Sequence, residues 1–122
     1  MSQHVAFYEV LTDPNIELKQ PLGDLDTELT FTPPTNAATD NPAILSFMVG
    51  FINAKDLKFR INLNGNSAVK LNPENGTRVS SFCQEIVGAI KPGLSNKLKC
   101  FIESGTGTVG FSDMVIWYQR NV

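Results

Sequence analysis

Leu57-Lys58-Phe59-Arg60-Ile61-Asn62-Leu63-Asn64-Gly65 decides the fold class. Leu57, Phe59, Ile61 and Leu63 alternate with Lys58, Arg60, Asn62 and Asn64, the period of two of a strand with one buried and one wet face. Asn64-Gly65 then turns the chain. Both central residues of a type I′ turn need positive φ, which Asn and Gly adopt at least cost, so Ser67 to Leu71 is expected to return antiparallel.

Outward from this hairpin the chain reads as strands. On the N-terminal side, Ala43 to Asn53 sets Leu45, Phe47, Val49 and Phe51 on one face and Ser46, Met48 and Gly50 on the other. Before it, Thr35 to Pro42 holds small and polar residues and reads as a surface loop. Glu28 to Thr32 offers Leu29 and Phe31 as inward residues of a strand ended by Pro33-Pro34. Ile16 to Asp26 is irregular, with Pro21 and Gly23 breaking any helix, and Val5 to Leu11 is a first strand ended by Asp13-Pro14-Asn15.

On the C-terminal side, Pro73-Glu74-Asn75-Gly76 is a turn, and Arg78 to Ile90 is ambiguous. Phe82, Ile86 and Ile90 recur at helical spacing, but Val79 and Val87 are β-branched and Gly88 sits badly in a helix, so a strand is favoured. Lys97 to Glu103 alternates with Leu98, Cys100 and Ile102 inward. Ser104 to Gly107 reads as a turn, and Thr108 to Gln119 as the last strand. There Val109, Phe111, Val115 and Trp117 share one parity and Met114, Ile116 and Tyr118 the other, and a switch at Ser112-Asp113 predicts a bulge.

With 122 residues, one domain spanning 1–122 and one core are expected. A net charge of −2, 18% charged residues and no run of like charges longer than two give no footprint for nucleic acid. No apolar run approaches the roughly 18 residues of a membrane span. Met1 to Val10 lacks the basic start and apolar stretch of a signal peptide, so the expectation is a cytoplasmic protein, or one exported by a route the chain does not encode. Asn75-Gly76-Thr77 fits the glycosylation acceptor pattern but reads as a turn.

Seven or eight short strands with turn signals between them imply an all-β, antiparallel two-sheet sandwich. Arg60-Ile61-Asn62-Leu63-Asn64-Gly65, Gln84-Glu85-Ile86, Leu94-Ser95-Asn96-Lys97-Leu98 and Gly110-Phe111-Ser112-Asp113-Met114-Val115, in that order, resemble the jelly-roll sandwiches of the galactose-binding-like class, which include many carbohydrate-binding modules. The resemblance covers the chain from Leu57 to Gln119. It implies a jelly roll, and a structural calcium held between an acid of the first strand and an Asp of the last, places that Glu9 and Asp113 occupy. Read as residues alone, Glu9 is an exposed acid and Asp113 a helper of the bulge.

Catalysis finds little support. His4 is the single histidine, so a triad or a histidine metal site would have to be built on it. Asp24, Asp26 and Glu28 could pair as in glycoside hydrolysis but read as solvated charge in and beside a loop. Gly105-Thr106-Gly107 lacks the Lys and helix of a phosphate loop. If the strands around Cys83 and Cys100 formed a hairpin, a disulfide could join them; buried, reduced thiols are the favoured alternative. Two thiolates are too few for zinc.

Sugar recognition needs planar aromatics for the apolar face of a ring and short polar side chains for its hydroxyls. Trp117 and Tyr118 are adjacent and so face opposite sides, and Arg60, Asn62 and Asn64 form an outward row. These five are the candidate ligand-binding residues of a non-catalytic, lectin-like carbohydrate-binding module. The alternative is a structural or adhesion module forming a homo-oligomer through exposed aromatic sheet faces, with Phe101 at an outward position.

Overall fold

In the computed structural model, residues 4–39, 42–86 and 90–121 are described. They form seven strands: β1 (His4–Thr12), β2 (Ile16–Gln20), β3 (Asp26–Phe31), β4 (Ala43–Leu63), β5 (Asn66–Leu71), β6 (Gly76–Ile86) and β7 (Asn96–Asn121). All pairings are antiparallel.

Two strands organise the rest. β4 and β7 pair along their length, and each bends in the middle, where their register shifts between Ile52 and Phe59. Before the bend, the first half of β4 is flanked by β6 and by the second half of β7, which carries β1 and β2 on its other side. Beyond it, the second half of β4 is flanked by β5 and the first half of β7, which carries β3. The bend folds this hydrogen-bonded surface onto itself as two layers. Phe59 of the second layer lies 5.8 Å from Phe111 of the first and 6.5 Å from Phe51, ring centre to ring centre. At one edge, Gln84 Nε2 of β6 donates to the Ala68 carbonyl of β5 at 3.5 Å. This is the jelly-roll sandwich expected from the sequence, with Leu45, Phe47, Val49, Phe51, Leu57, Phe59, Ile61 and Leu63 all buried in its core.

The hairpin forms as expected, with Asn64 and Gly65 at φ +50° and +85°. The bulge is also present. Asp113 has φ +53°, and the β4–β7 register shifts between Ser46 and Met48. Val109 and Phe111 therefore point inward and Val115 and Trp117 outward, while Met114, Ile116 and Tyr118 fill the core. The segment from Arg78 is a strand to Ile86; of its expected continuation to Ile90, residues 87–89 lie outside the described residues and Ile90 is not in a strand.

Four expectations are corrected. Ile16 to Gln20 is a strand, pairing with Gly107 to Phe111, because Ile16 and Leu18 supply an inward face before the cis Gln20–Pro21 bond. Ser104 to Gly107 is not a turn but part of β7, with Gly105 and Gly107 at positive φ inside the bend. The loop from Thr35 is not a free surface loop, since Ala37 and Ala38 are buried and the Ala38 amide donates to the Gln119 carbonyl at 2.7 Å. Cys83 and Cys100 are on unpaired strands, β6 and β7, so no hairpin joins them. Both are free, and only Cys100 is buried.

Asn75-Gly76-Thr77 serves the bend of β4. Asn75 Oδ1 accepts from the Asp56 amide at 2.9 Å, and Thr77 Oγ1 from the Asn53 amide at 3.0 Å. Both acceptors meet amides at residues with positive φ, where the strand ladder is interrupted.

Candidate functional site

Strand parity makes the outer face of the first layer the candidate site. With Leu45, Phe47 and Val49 inward, Ile44, Ser46, Met48 and Gly50 must point out. Cross-strand pairing sets Tyr8 beside Trp117, Trp117 beside Ile44, and Ile44 beside Glu85, one row over four strands. Tyr8 and Trp117 are 57% and 43% exposed, with ring centres 5.1 Å apart and planes inclined by 39°. The Trp117 indole is held in place because its Nε1 donates to Ser46 Oγ at 3.2 Å.

Next to Trp117 is a depression of about 680 Å³, bordered by Ala6, Phe7, Pro42, Ile44, Ser46, Cys83, Glu85, Trp117, Tyr118 and Gln119. It combines an aromatic wall, an aliphatic floor and a rim carrying a carboxylate, an amide and a hydroxyl. Sites for small molecules share this make-up, mostly apolar with a few placed polar groups. A second depression of about 370 Å³ lies further along the same face, around Gly50 and Gly110.

Of the five ligand-binding candidates read from sequence, the structure exposes Trp117 alone on this face, while Tyr118 also borders the first depression. Tyr118 points inward, 4% exposed, and its hydroxyl donates to Glu9 Oε1 at 2.8 Å. Burial, with the neighbouring Glu9 carboxylate, raises the phenol well above its ordinary range. Arg60, Asn62 and Asn64 lie on the other layer. Arg60, its side chain 11% exposed, meets Glu103 Oε2 through Nε at 3.0 Å and donates through Nη1 to the Phe59 and Leu71 carbonyls and Asn72 Oδ1. Asn62 is half-buried opposite Lys99 and Ser67. Asn64 Nδ2 donates to Asn96 Oδ1 and its Oδ1 accepts from the Lys97 amide, both at 2.9 Å.

Glu9 and Asp113 do not fit a calcium ion. Calcium takes about 6–8 oxygen ligands. Glu9 stands opposite Ile116 on the inner face, with one oxygen engaged by Tyr118. Asp113 is exposed on the bulge, roughly 10 Å further along β7 at the usual strand rise. Among the described residues, no three His, Cys, Asp or Glu side chains gather where they could hold a metal.

Tyr8, Ile44, Glu85 and the two glycines were not singled out by the sequence. Tyr8 carried a signal, since it shares outward parity with Ala6 and Val10. Only the pairing of the first strand with the last shows that it meets Trp117.

No family model matches the chain, and no similar curated protein is found. Among solved structures, wild-type BuGH86 in complex with neoagarooctaose is similar with a TM-score of 0.60 and 13% identity, over 98% of this chain and 19% of that one. BpGH86A, a beta-porphyranase of glycoside hydrolase family 86 from the human gut bacterium Bacteroides plebeius, is similar with a TM-score of 0.54 and 17% identity, over 99% of this chain and 21% of that one. The carbohydrate-binding module CBM36, in complex with calcium and xylotriose, is similar at a TM-score of 0.46 and 12% identity, over 93% and 97% of the two chains. The chain thus spans about a fifth of the length of the first two, and what it shares with them is the fold.

Proposed function

We propose that the chain is a non-catalytic carbohydrate-binding module whose ligand lies against Tyr8 and Trp117. The observation that carries this reading is the exposed Trp117, packed beside Tyr8, fixed by the Ser46 hydrogen bond and bordering a depression with a polar rim. A pyranose ring offers one apolar C–H face and a girdle of hydroxyls, and this surface offers flat apolar area with Glu85, Gln119 and Ser46 around it. The neighbour in complex with neoagarooctaose gives the reading its context, a domain of this shape within a carbohydrate-binding protein. Arg60, Asn64 and Tyr118 serve the scaffold in this reading, and the second layer is not the ligand face.

The test is a glycan array followed by titration calorimetry with the glycan it returns. Trp117→Ala is expected to weaken binding by about 2 kcal/mol, roughly thirtyfold, with the circular dichroism spectrum unchanged. A chelator is expected to leave affinity unchanged, since Glu9 and Asp113 do not form a calcium cage. Full affinity in Trp117→Ala would remove the reading.

One observation favours a second reading, self-association. Val10, Met48, Ile52 and Val79 extend the exposed apolar area on the same face, and such patches mark protein contacts when they are contiguous. A dimeric mass in solution together with an empty glycan array would favour it.

A further inference from the structure

Gly50 and Gly110 are partners in the β4–β7 ladder, so the two central strands carry no side chain on this row of the outer face. The row continues to Glu17 of β2 and Val79 of β6. The fold does not demand these glycines for their conformation, because neither has positive φ. A methyl at Gly50 would rest 3.6 Å from Val79 Cγ2 and 4.0 Å from the Gly110 carbonyl oxygen, ordinary contacts. At Gly110 its nearest contacts would be with the side chain of Asn15, 3.0 Å away at the closest, which must give way but is on an exposed residue. Glycine inside a strand is unfavourable and often marks a bulge, a tight bend, or the close approach of a ligand or another backbone. Here the missing side chains leave a trench floored by backbone at Gly50 and bordered at Gly110 by the Asn15 side chain, the second depression on the face.

Extending the carbohydrate reading, on which this inference rests, we propose that the trench is a second subsite and that the ligand is a linear oligosaccharide lying along β4 from Trp117 to Val79. On one side of the trench stand Glu17 and Asp113; on the other, Met48 and Val79. Hydroxyls on one edge and C–H bonds on the other are what a sugar in a chain presents. The centre of a protein interface is depleted in charge, whereas neither carboxylate here has an ion pair among the described residues. The two depressions share one strand, Ile44 and Ser46 lining the first, Met48 and Gly50 the second. Ile44 and Gly50 are roughly 20 Å apart along it, a span for several linked sugars and too long for one.

The test compares neutral linear agaro-, xylo- and cello-oligosaccharides, from disaccharide to octasaccharide, against the whole chain by calorimetry. Affinity is expected to rise with length in the series that binds. Gly50→Leu should remove that rise, about tenfold for the octasaccharide, and leave the disaccharide unaffected. Gly50→Ala, which the available space admits, should keep the melting temperature and weaken the octasaccharide in the same direction. Equal affinity for short and long chains, with Trp117→Ala abolishing both, would overturn the trench subsite and leave the aromatic site standing. No binding by any series would overturn both.

Discussion

At the scale of single residues, the polar side chains of the second layer hold the chain to itself. Asn96 is wholly buried and every polar atom of its amide has a partner: Oδ1 accepts from the Lys91 amide and Asn64 Nδ2, and Nδ2 donates to the Lys91 and Leu94 carbonyls. It pins the loop before β7 onto the β4–β5 turn. Arg60 does the same at the other end of β5, because two carbonyls and Asn72 share one of its nitrogens while Glu103 neutralises its charge. Arg60→Ala would leave those acceptors without their donor, a cost of about 1–3 kcal/mol. Urea unfolding should show that loss, and on the proposed carbohydrate reading the affinity for glycan should stay at the wild-type value. Reduced affinity with unchanged stability would return Arg60 to the ligand face. The alternation Arg60, Asn62, Asn64 is plain in the sequence. Their partners are not, for Glu103 and Asn96 come from residues more than thirty positions away, brought close only by the pairing with β7.

At the scale of elements, the bend in β4 and β7 makes two layers from one continuous sheet. The sequence shows its two arms, because Leu57 to Leu63 keeps strict alternation and Ala43 to Phe51 sets Leu45, Phe47, Val49 and Phe51 on one parity. It hides their continuity, since Asn53, Asp56 and the glycines around Thr106 look like turn residues, and in the folded chain they do adopt positive φ, only within strands. β2 was hidden for a different reason. Five residues with two inward side chains give too little periodicity to stand out beside Pro21 and Gly23. Gly105 is the residue the bend depends on most. A methyl there would lie 2.2 Å from the Asp56 carbonyl oxygen and 2.6 Å from the Leu57 Cα, both backbone, at φ +84°. Neither atom can move without opening the β4–β7 ladder. Gly105→Ala is therefore expected to cost on the order of 3 kcal/mol, read as a lower urea midpoint. Gly50→Ala, free of clash and strain, is the control that should lose nothing, and equal midpoints for the two variants would contradict the bend geometry.

At the scale of the whole molecule, one core is covered by two faces of different character, and the sequence foreshadows this only in part. The parity switch at Ser112-Asp113 is legible and sends Trp117 outward and Tyr118 inward, but the row from Tyr8 to Glu85 draws on four strands spread along the chain. That same core governs how stability responds to alkali. Cys100 is fully buried, and burial pushes its thiol from 9.0 up to about 12. Tyr118 is raised above its ordinary 10.0 by burial and by Glu9. Both groups are neutral when protonated, so the folded chain keeps protons that the unfolded chain has already released above about pH 9. The unfolded state then binds fewer protons than the native one, and stability falls as pH rises. The fall begins near pH 9 with Cys100, steepens near pH 10 as Tyr118 joins, and amounts to roughly 1.4 kcal/mol per pH unit for each group in its window. Below about pH 9 these two groups contribute no slope. Urea midpoints taken from about pH 8 to about pH 11 should trace this profile, and Cys100→Ala, although less stable throughout, should begin its decline only near pH 10. A wild-type midpoint that stays level across the range would mean that neither group is shielded as the core requires.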